Sequence, residues 1–414
     1  MTERWPIQIG TMPKPDRARY HRRARAWSHG FQTVGQRVGG MRIAYVLTSL
    51  GIGGAERQVV ALAERMAARG HAVSLLVLRP RQLEEWPATV DRVYLDMRKT
   101  PASLLASLAK ARRLLRIFSP DLIHSHVYPA NMAARLLRLF GSAPSLISTV
   151  HNVYEGSWPR MLAYRLTDPL SRWTTAVSQA AADRYVRLKA VPANKCSVLT
   201  NGIDTAEFVS SPERRVRVRA QMGVKEEYVW LTAGRIAPAK DYPNLLRAFA
   251  KVRAASPQAQ LWVAGEVSGT EFANVHALAA ELKLESSVRW LGLRRDMPAL
   301  LDAADGFVMA SAWEGMPLAL GEAMAIEKLV VATDVGGVRE LVGDAGVIVP
   351  AKSPDELAEA MLGMMRTTTE ARRSMGRAAR NRIQSQFSID AKADEWEALY
   401  RTVSAERSRT GSCR

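Results

Sequence analysis

From Met41 onward the chain alternates between two hydrophobic patterns. Short runs rich in aliphatic and β-branched residues (Arg42–Leu47, Ala72–Leu78, Leu122–His124, Leu146–Val150, Thr174–Val177 and Ser197–Leu199) are separated by stretches with apolar positions at helical spacing, such as Glu56–Arg69, Ala102–Phe118 and Ala130–Phe140. This alternation predicts a parallel sheet covered by helices. The pattern restarts at Tyr228, with strands expected at Val229–Ala233, Leu261–Ala264, Gly306–Met309, Leu329–Ala332 and Val347–Val349. The expected architecture is α/β: a doubly wound domain over 41–207, a charged linker over 208–226, and a second doubly wound domain over 227–386, with a cleft between the domains. A last amphipathic segment, 387–405, carries Trp396, Leu399 and Tyr400 and is expected to pack back on the first domain.

Composition adds limits to this picture. At 414 residues the chain is long for one core, and it is 47% hydrophobic and 24% charged, as ordinary globular proteins are. No apolar run reaches the ~18 residues of a membrane span, and no secretion-type apolar core follows the first basic residues. Cys196 and Cys413 are too few for a disulfide framework or a zinc cage. A cytoplasmic setting is expected.

The net charge of +18 is unevenly placed, with +6 in residues 1–40, +10 in 41–207 and +2 in 208–414. Residues 1–40 cluster Arg17, Arg19, Arg22, Arg23 and Arg25 without a sustained period. They read either as a flexible basic leader or as sequence upstream of a start at Met41.

Open parallel sheets bind ligands at the carboxyl ends of their strands, so the chemistry is expected in strand-to-helix loops. The segment Ser311-Ala-Trp-Glu-Gly-Met-Pro-Leu318 places Glu314 on such a loop and Glu322 within the next helix. Pro317 suits that helix's first turn, and the backbone of Gly315, Met316, Pro317 and Leu318 forms a positive end fit for phosphate. Glu322 is the one acid among apolar or small neighbours from Met316 to Ile326, so it calls for a polar partner. Arg235 and Lys240, in the loop after Val229–Ala233, are expected above the same sheet edge, where two cations suit a diphosphate.

In the first domain Gly51-Ile-Gly-Gly-Ala-Glu56 follows the first strand, and Gly53 and Gly54 let backbone approach a ligand. It is neither a full G-x-G-x-x-G nor a P-loop. His151 follows a strand at an edge facing the cleft and is read as functional. His124 and His126 share a strand face but lack a third metal ligand, so both are read as structural and no metal site is expected.

Taken together these residues resemble glycosyltransferase family 4, the retaining transferases of the two-Rossmann GT-B fold. The likeness runs over nearly all of 41–405. It includes Gly-Gly-Ala-Glu56, Ser-Thr-Val-His151, Asn-Gly-Ile-Asp204, Gly-Arg-Ile-Ala-Pro-Ala-Lys240, the E-x7-E pair Glu314 and Glu322, and an acidic position at Glu340. One departure is Glu327-Lys-Leu-Val-Val331, where the family often has Gly-x-Pro before Val-Val. The resemblance implies a nucleotide-sugar donor held by the second domain and an acceptor held by the first. Arg235 and Lys240 would neutralise the leaving diphosphate, Glu322 would hold the ribose, Glu314 the sugar, and His151 would approach the sugar from the other domain. It implies no cofactor and no obligatory metal.

The acceptor is left open between a lipid-linked or growing glycan, as in cell-surface polysaccharide biosynthesis, and a soluble small molecule. Lys99, Lys110, Arg112, Arg113 and Arg116 accompany an apolar helical stretch, and Trp158–Arg165 mixes aromatic and basic residues. Such surfaces suit either peripheral contact with an anionic membrane or plain solvation. A nucleic-acid-binding protein, which the basic charge also suggests, would show a recognisable binding module, and none is present. A non-catalytic nucleotide-sugar sensor is disfavoured because all four charged site residues are retained.

Overall fold

The computed structural model describes residues 40–51, 53–80, 90–140 and 144–411. The basic segment read as a leader, save Gly40, and Cys413 lie outside them. In the first domain the order is β1 (Arg42–Leu47), α1 (Gly54–Ala68), β2 (Ala72–Val77), β3 (Asp91–Tyr94), α2 (Pro101–Phe118), β4 (Leu122–His126), α3 (Tyr128–Leu137), β5 (Ser145–Val150), α4 (Trp158–Thr167), β6 (Trp173–Ala176), α5 (Gln179–Arg187) and β7 (Cys196–Val198). All these strands pair in parallel, in the order β3-β2-β1-β4-β5-β6-β7.

The second domain opens with α6 (Pro212–Gln221), β8 (Val229–Ala233), α7 (Tyr242–Ala255), β9 (Gln260–Ala264), α8 (Gly269–Glu281) and β10 (Val288–Gly292). It continues with α9 (Met297–Ala303), β11 (Gly306–Met309), α10 (Leu318–Ala325), β12 (Leu329–Thr333), α11 (Val338–Val342), β13 (Val347–Val349), α12 (Pro354–Arg366), α13 (Thr369–Gln386) and α14 (Ile389–Gly411). Its sheet order is β10-β9-β8-β11-β12-β13, again parallel. Both sheets are doubly wound, with their direction of growth reversing at β1/β4 and at β8/β11.

Segment 208–226 is not a bare linker. Ser211 caps α6 through its side chain, which accepts from the Arg214 N–H. Arg214 pairs with the buried Asp302, and Arg215 and Arg219 with Asp305, so the basic face of α6 is spent on the second domain. The stretch expected as a charged linker is here an ion-paired helix face.

The chain returns through α14. Ile203 and residues 387–389 exchange backbone hydrogen bonds at the crossing. Ala393, Trp396, Tyr400 and Val403 then sink into the core formed by β1 and α1. Tyr400 Oη lies 2.7 Å from His124 Nδ1 and 3.1 Å from Tyr45 Oη. Burying side chains of this size contributes roughly 1.5–3 kcal/mol each, so α14 fastens one domain to the other.

Candidate active site

The loops after β8 and β11, the two strands flanking the switch point, are joined by the Ala312 N–H donating to the Ala239 carbonyl. This brings Lys240 Nζ within 2.5 Å of Glu314 Oε1, which also accepts from Ser311 Oγ at 2.7 Å. Arg235, on the same loop, is exposed, and no ion pair joins it to either glutamate. Pro317 is the N-cap of α10 and Leu318 its first residue. Lacking an N–H, Pro317 shapes the turn, and the free helix-end amides belong to its neighbours. The hinge holds this turn too, since Asn201 Nδ2 donates to the Met316 carbonyl at 3.0 Å.

The first domain closes on this loop from above. Asn152 and Gly315 form an antiparallel backbone bridge across the cleft. A Cβ at Gly315 would lie 2.0 Å from the His151 carbonyl oxygen, so only glycine allows this approach. The Gly337 N–H donates to the Gly315 carbonyl at 2.7 Å, and Glu340 accepts from the Gln179 N–H at the amino end of α5. Glu340 thus joins the domains by capping a helix end that belongs to the other one.

His151 is held on two sides. Its N–H donates to Glu155 Oε1 at 3.0 Å, and its Nε2 faces His126 Nδ1 at 3.0 Å. Burial pushes His151 down to about 4 and holds His126 and His124 well below the usual histidine range, so all three rings are neutral at pH 7. Burial raises the Glu155 carboxyl, opposed by bonds from the His151 N–H and the Tyr164 hydroxyl. His126, read from the sequence as structural, lies in direct contact with His151. Among the described residues no group of three or more His, Cys, Asp or Glu side chains gathers as a metal site requires.

Glu322 is not in contact with the Lys240–Glu314 pair. It lies buried in α10 and takes Arg57 Nη2 at 2.8 Å, a partner from the first turn of α1. Gly53 caps α1, and a Cβ there would strike Glu56 Oε2 at 2.3 Å; Gly54 lies against Leu318.

With this geometry, two stretches of the chain match known families: residues 52–207 match Glycosyltransferase Family 4, and 216–382 match Glycosyl transferases group 1. A D-inositol 3-phosphate glycosyltransferase of Geodermatophilus obscurus is 30% identical over 407 residues, 87% of each chain. The chain belongs to glycosyltransferase family 4. An Escherichia coli UDP-Gal:alpha-D-GlcNAc-diphosphoundecaprenol alpha-1,3-galactosyltransferase is 25% identical, over 72% of this chain and 79% of its own. In fold, the Anabaena Alr3699/HepE protein solved with UDP-glucose superposes with a TM-score of 0.77 at 22% identity, covering 87% of this chain and 99% of its own. The chain is thus a glycosyltransferase of GT-B fold.

The sequence marks no role for Arg57 or Gln58, and marks Asn201 and Glu340 only as positions in the family resemblance. Gln58 Oε1 accepts from the Gly202 N–H at the hinge. Arg57, Asn201 and Glu340 act across the domain boundary and Gln58 holds the hinge from within the first domain, contacts that no periodicity reports. The one available signal was Glu322 itself, a lone acid in an apolar helix that required a cation from elsewhere.

Proposed function

We propose that the enzyme transfers a sugar from a nucleotide-sugar donor with retention of anomeric configuration. The observation that carries this is the bonded Lys240–Glu314 pair beside the amino end of α10, at the carboxyl edge of the second sheet. Arg235 and Lys240 offset the charge growing on the departing diphosphate, helped by the amides of Met316 and Leu318. Glu314 accepts from the sugar hydroxyls, Glu322 from the ribose diol, and His151 meets the sugar from the first domain. Two protein cations at the leaving group make an obligatory divalent metal unnecessary. Screening the purified enzyme for hydrolysis of a panel of nucleotide sugars tests the reading. One donor is expected to be consumed equally with and without EDTA, and Mg²⁺-reversible loss of activity on chelation would overturn metal independence.

We propose further that the acceptor is lipid-linked and that the enzyme works at the inner face of a membrane. Helices α2, α3 and α4 contain no Asp or Glu. Right-handed crossovers from the switch point set them on one face of the sheet. Of the twelve large apolar side chains exposed among the described residues, eight lie between Leu105 and Leu188. On α4, Trp158, Leu162 and Leu166 stand four residues apart in one row, with Arg165 beside them, a mixture suited to an anionic bilayer surface. No helix among the described residues is long and apolar enough to cross a membrane. The enzyme should sediment with phosphatidylglycerol vesicles but not phosphatidylcholine vesicles, and a Trp158→Ser, Leu162→Ser, Leu166→Ser variant should stay soluble while still hydrolysing donor. Equal behaviour with both vesicles would favour a soluble acceptor.

A further inference from the structure

We propose that Arg57 is a positioning residue that keeps the Glu322 carboxylate ionised and aimed from across the cleft, so that the donor's ribose is recognised only when the domains are closed. This rests on the reading of Glu322 as the ribose carboxylate. Glu322 sits in an apolar helix with 4% of its side chain exposed, and its ion-pair partner is Arg57 Nη2 at 2.8 Å. That partner belongs to the other domain and lies in the first turn of the helix that the Gly53-Gly54 turn sets against Leu318. Gly54 meets Leu318 and Arg57 meets Glu322, so the first turns of α1 and α10 run alongside each other with the ion pair one turn in. Opening the cleft would part these turns and leave the carboxylate buried with no cation.

The surroundings of Glu322 offer no substitute. Burial raises its carboxyl, Arg57 lowers it, and Glu207 of the crossing segment raises it further. Arg380 of α13, the helix packed on α10, is committed to the Phe208 and Ala325 carbonyls, and Glu56 of α1 is held by Ser49. The neighbouring strands β11 and β12 carry no charge. Arg57 is thus the cation that maintains an acceptor for two hydroxyl donors, and charge-assisted bonds to a carboxylate weaken once it takes up a proton. One carboxylate oxygen bonded to Arg57 also fixes the plane in which the other is presented.

The test is nucleotide binding by calorimetry across pH, with whichever of UDP, GDP, ADP and dTDP binds the wild type most tightly, and with the analogue of the same nucleotide lacking both ribose hydroxyls. Arg57→Met keeps the length of the side chain and removes the charge. Its affinity for the nucleotide should fall about tenfold or more as pH drops from about 8 to about 6, while the wild type changes little, since each unit of carboxyl pKa is a factor of ten. Arg57→Lys should restore a flat profile. The dideoxy analogue should bind Arg57→Met and wild type alike. In turnover, donor KM should rise with kcat largely kept. A parallel pH profile in Arg57→Met and wild type, or equal loss with the analogue, would overturn the role of Arg57. Glu322→Gln separates the premise: unchanged affinity there would refute the ribose reading itself, whatever Arg57→Met does.

Discussion

His126 Nδ1 stands 3.0 Å from His151 Nε2, and with both rings neutral the pair shares one hydrogen bond that occupies the inner nitrogen of His151. His151 is therefore presented to the cleft in one orientation, set by a residue on the neighbouring strand. Strands β4 and β5 place the two side by side because His126 is in register with Thr149, two positions before His151.

His126→Phe should consequently lower kcat by about tenfold or more with little change in nucleotide affinity, because a lost buried hydrogen bond leaves His151 free to turn. His126→Asn, which keeps a polar atom near Nδ1, should recover part of the loss. Steady-state kinetics beside calorimetry check this, and equal kcat in all three enzymes would remove His126 from the site.

The Lys240–Glu314 bond yields a sharper expectation. Lys240→Ala and Arg235→Ala should each reduce kcat/KM by ~10²–10³-fold, as loss of one preorganised electrostatic donor does. Glu314→Gln should abolish transfer without changing the thermal midpoint, since the amide keeps the shape. A Glu314→Gln enzyme with near-normal kcat/KM on the physiological donor would sink that assignment.

The fold was largely legible because the strands at the centre of both sheets are buried on both faces and read as continuous apolar runs. Arg42–Leu47, Val229–Ala233 and Gly306–Met309 occur where the pattern set them. The two strands it overlooked, Asp91–Tyr94 and Val288–Gly292, are edge strands of their sheets and carry Asp91, Arg92 and Arg289 among apolar residues, a mixture that edges tolerate and interiors do not. The loops that carry the candidate site residues were legible one by one. What sequence withheld was pairing across the cleft: Arg57 with Glu322 and Glu340 with the Gln179 N–H join residues 265 and 161 positions apart, and nothing local marks either partner.

Closure itself can be perturbed at Gly315. An added Cβ would collide with the His151 carbonyl and break the Asn152–Gly315 bridge while leaving each domain's core untouched. Gly315→Ala should raise donor KM and increase the radius of gyration in solution scattering, with a thermal midpoint close to wild type. An unchanged radius together with unchanged KM would show that the bridge does not hold the domains together.

The buried histidines also set the response to acid. His124, His126 and His151, and to a lesser degree His71, have folded-state values below the ordinary 6.5, so between about pH 6.5 and 4 the unfolded chain binds protons that the folded one refuses. Stability must therefore fall as pH falls through this window and be fully regained above 6.5. For His151, whose value drops from 6.5 to about 4, the loss grows below pH 6.5 and approaches about 3 kcal/mol only as pH reaches about 4. Glu155 and Glu322 act in the opposite sense, because a raised carboxyl takes up a proton in the folded state first. Hydrogen bonds or Arg57 partly offset the rise of these two carboxyls, whereas every cause acting on the three fully buried rings lowers them, so the histidines prevail. Urea unfolding at pH 7 and at about pH 5 should show the lower midpoint at pH 5, and His126→Phe should reduce the difference by removing one titrating ring. A midpoint independent of pH over this range would mean that these rings accept protons in the folded protein.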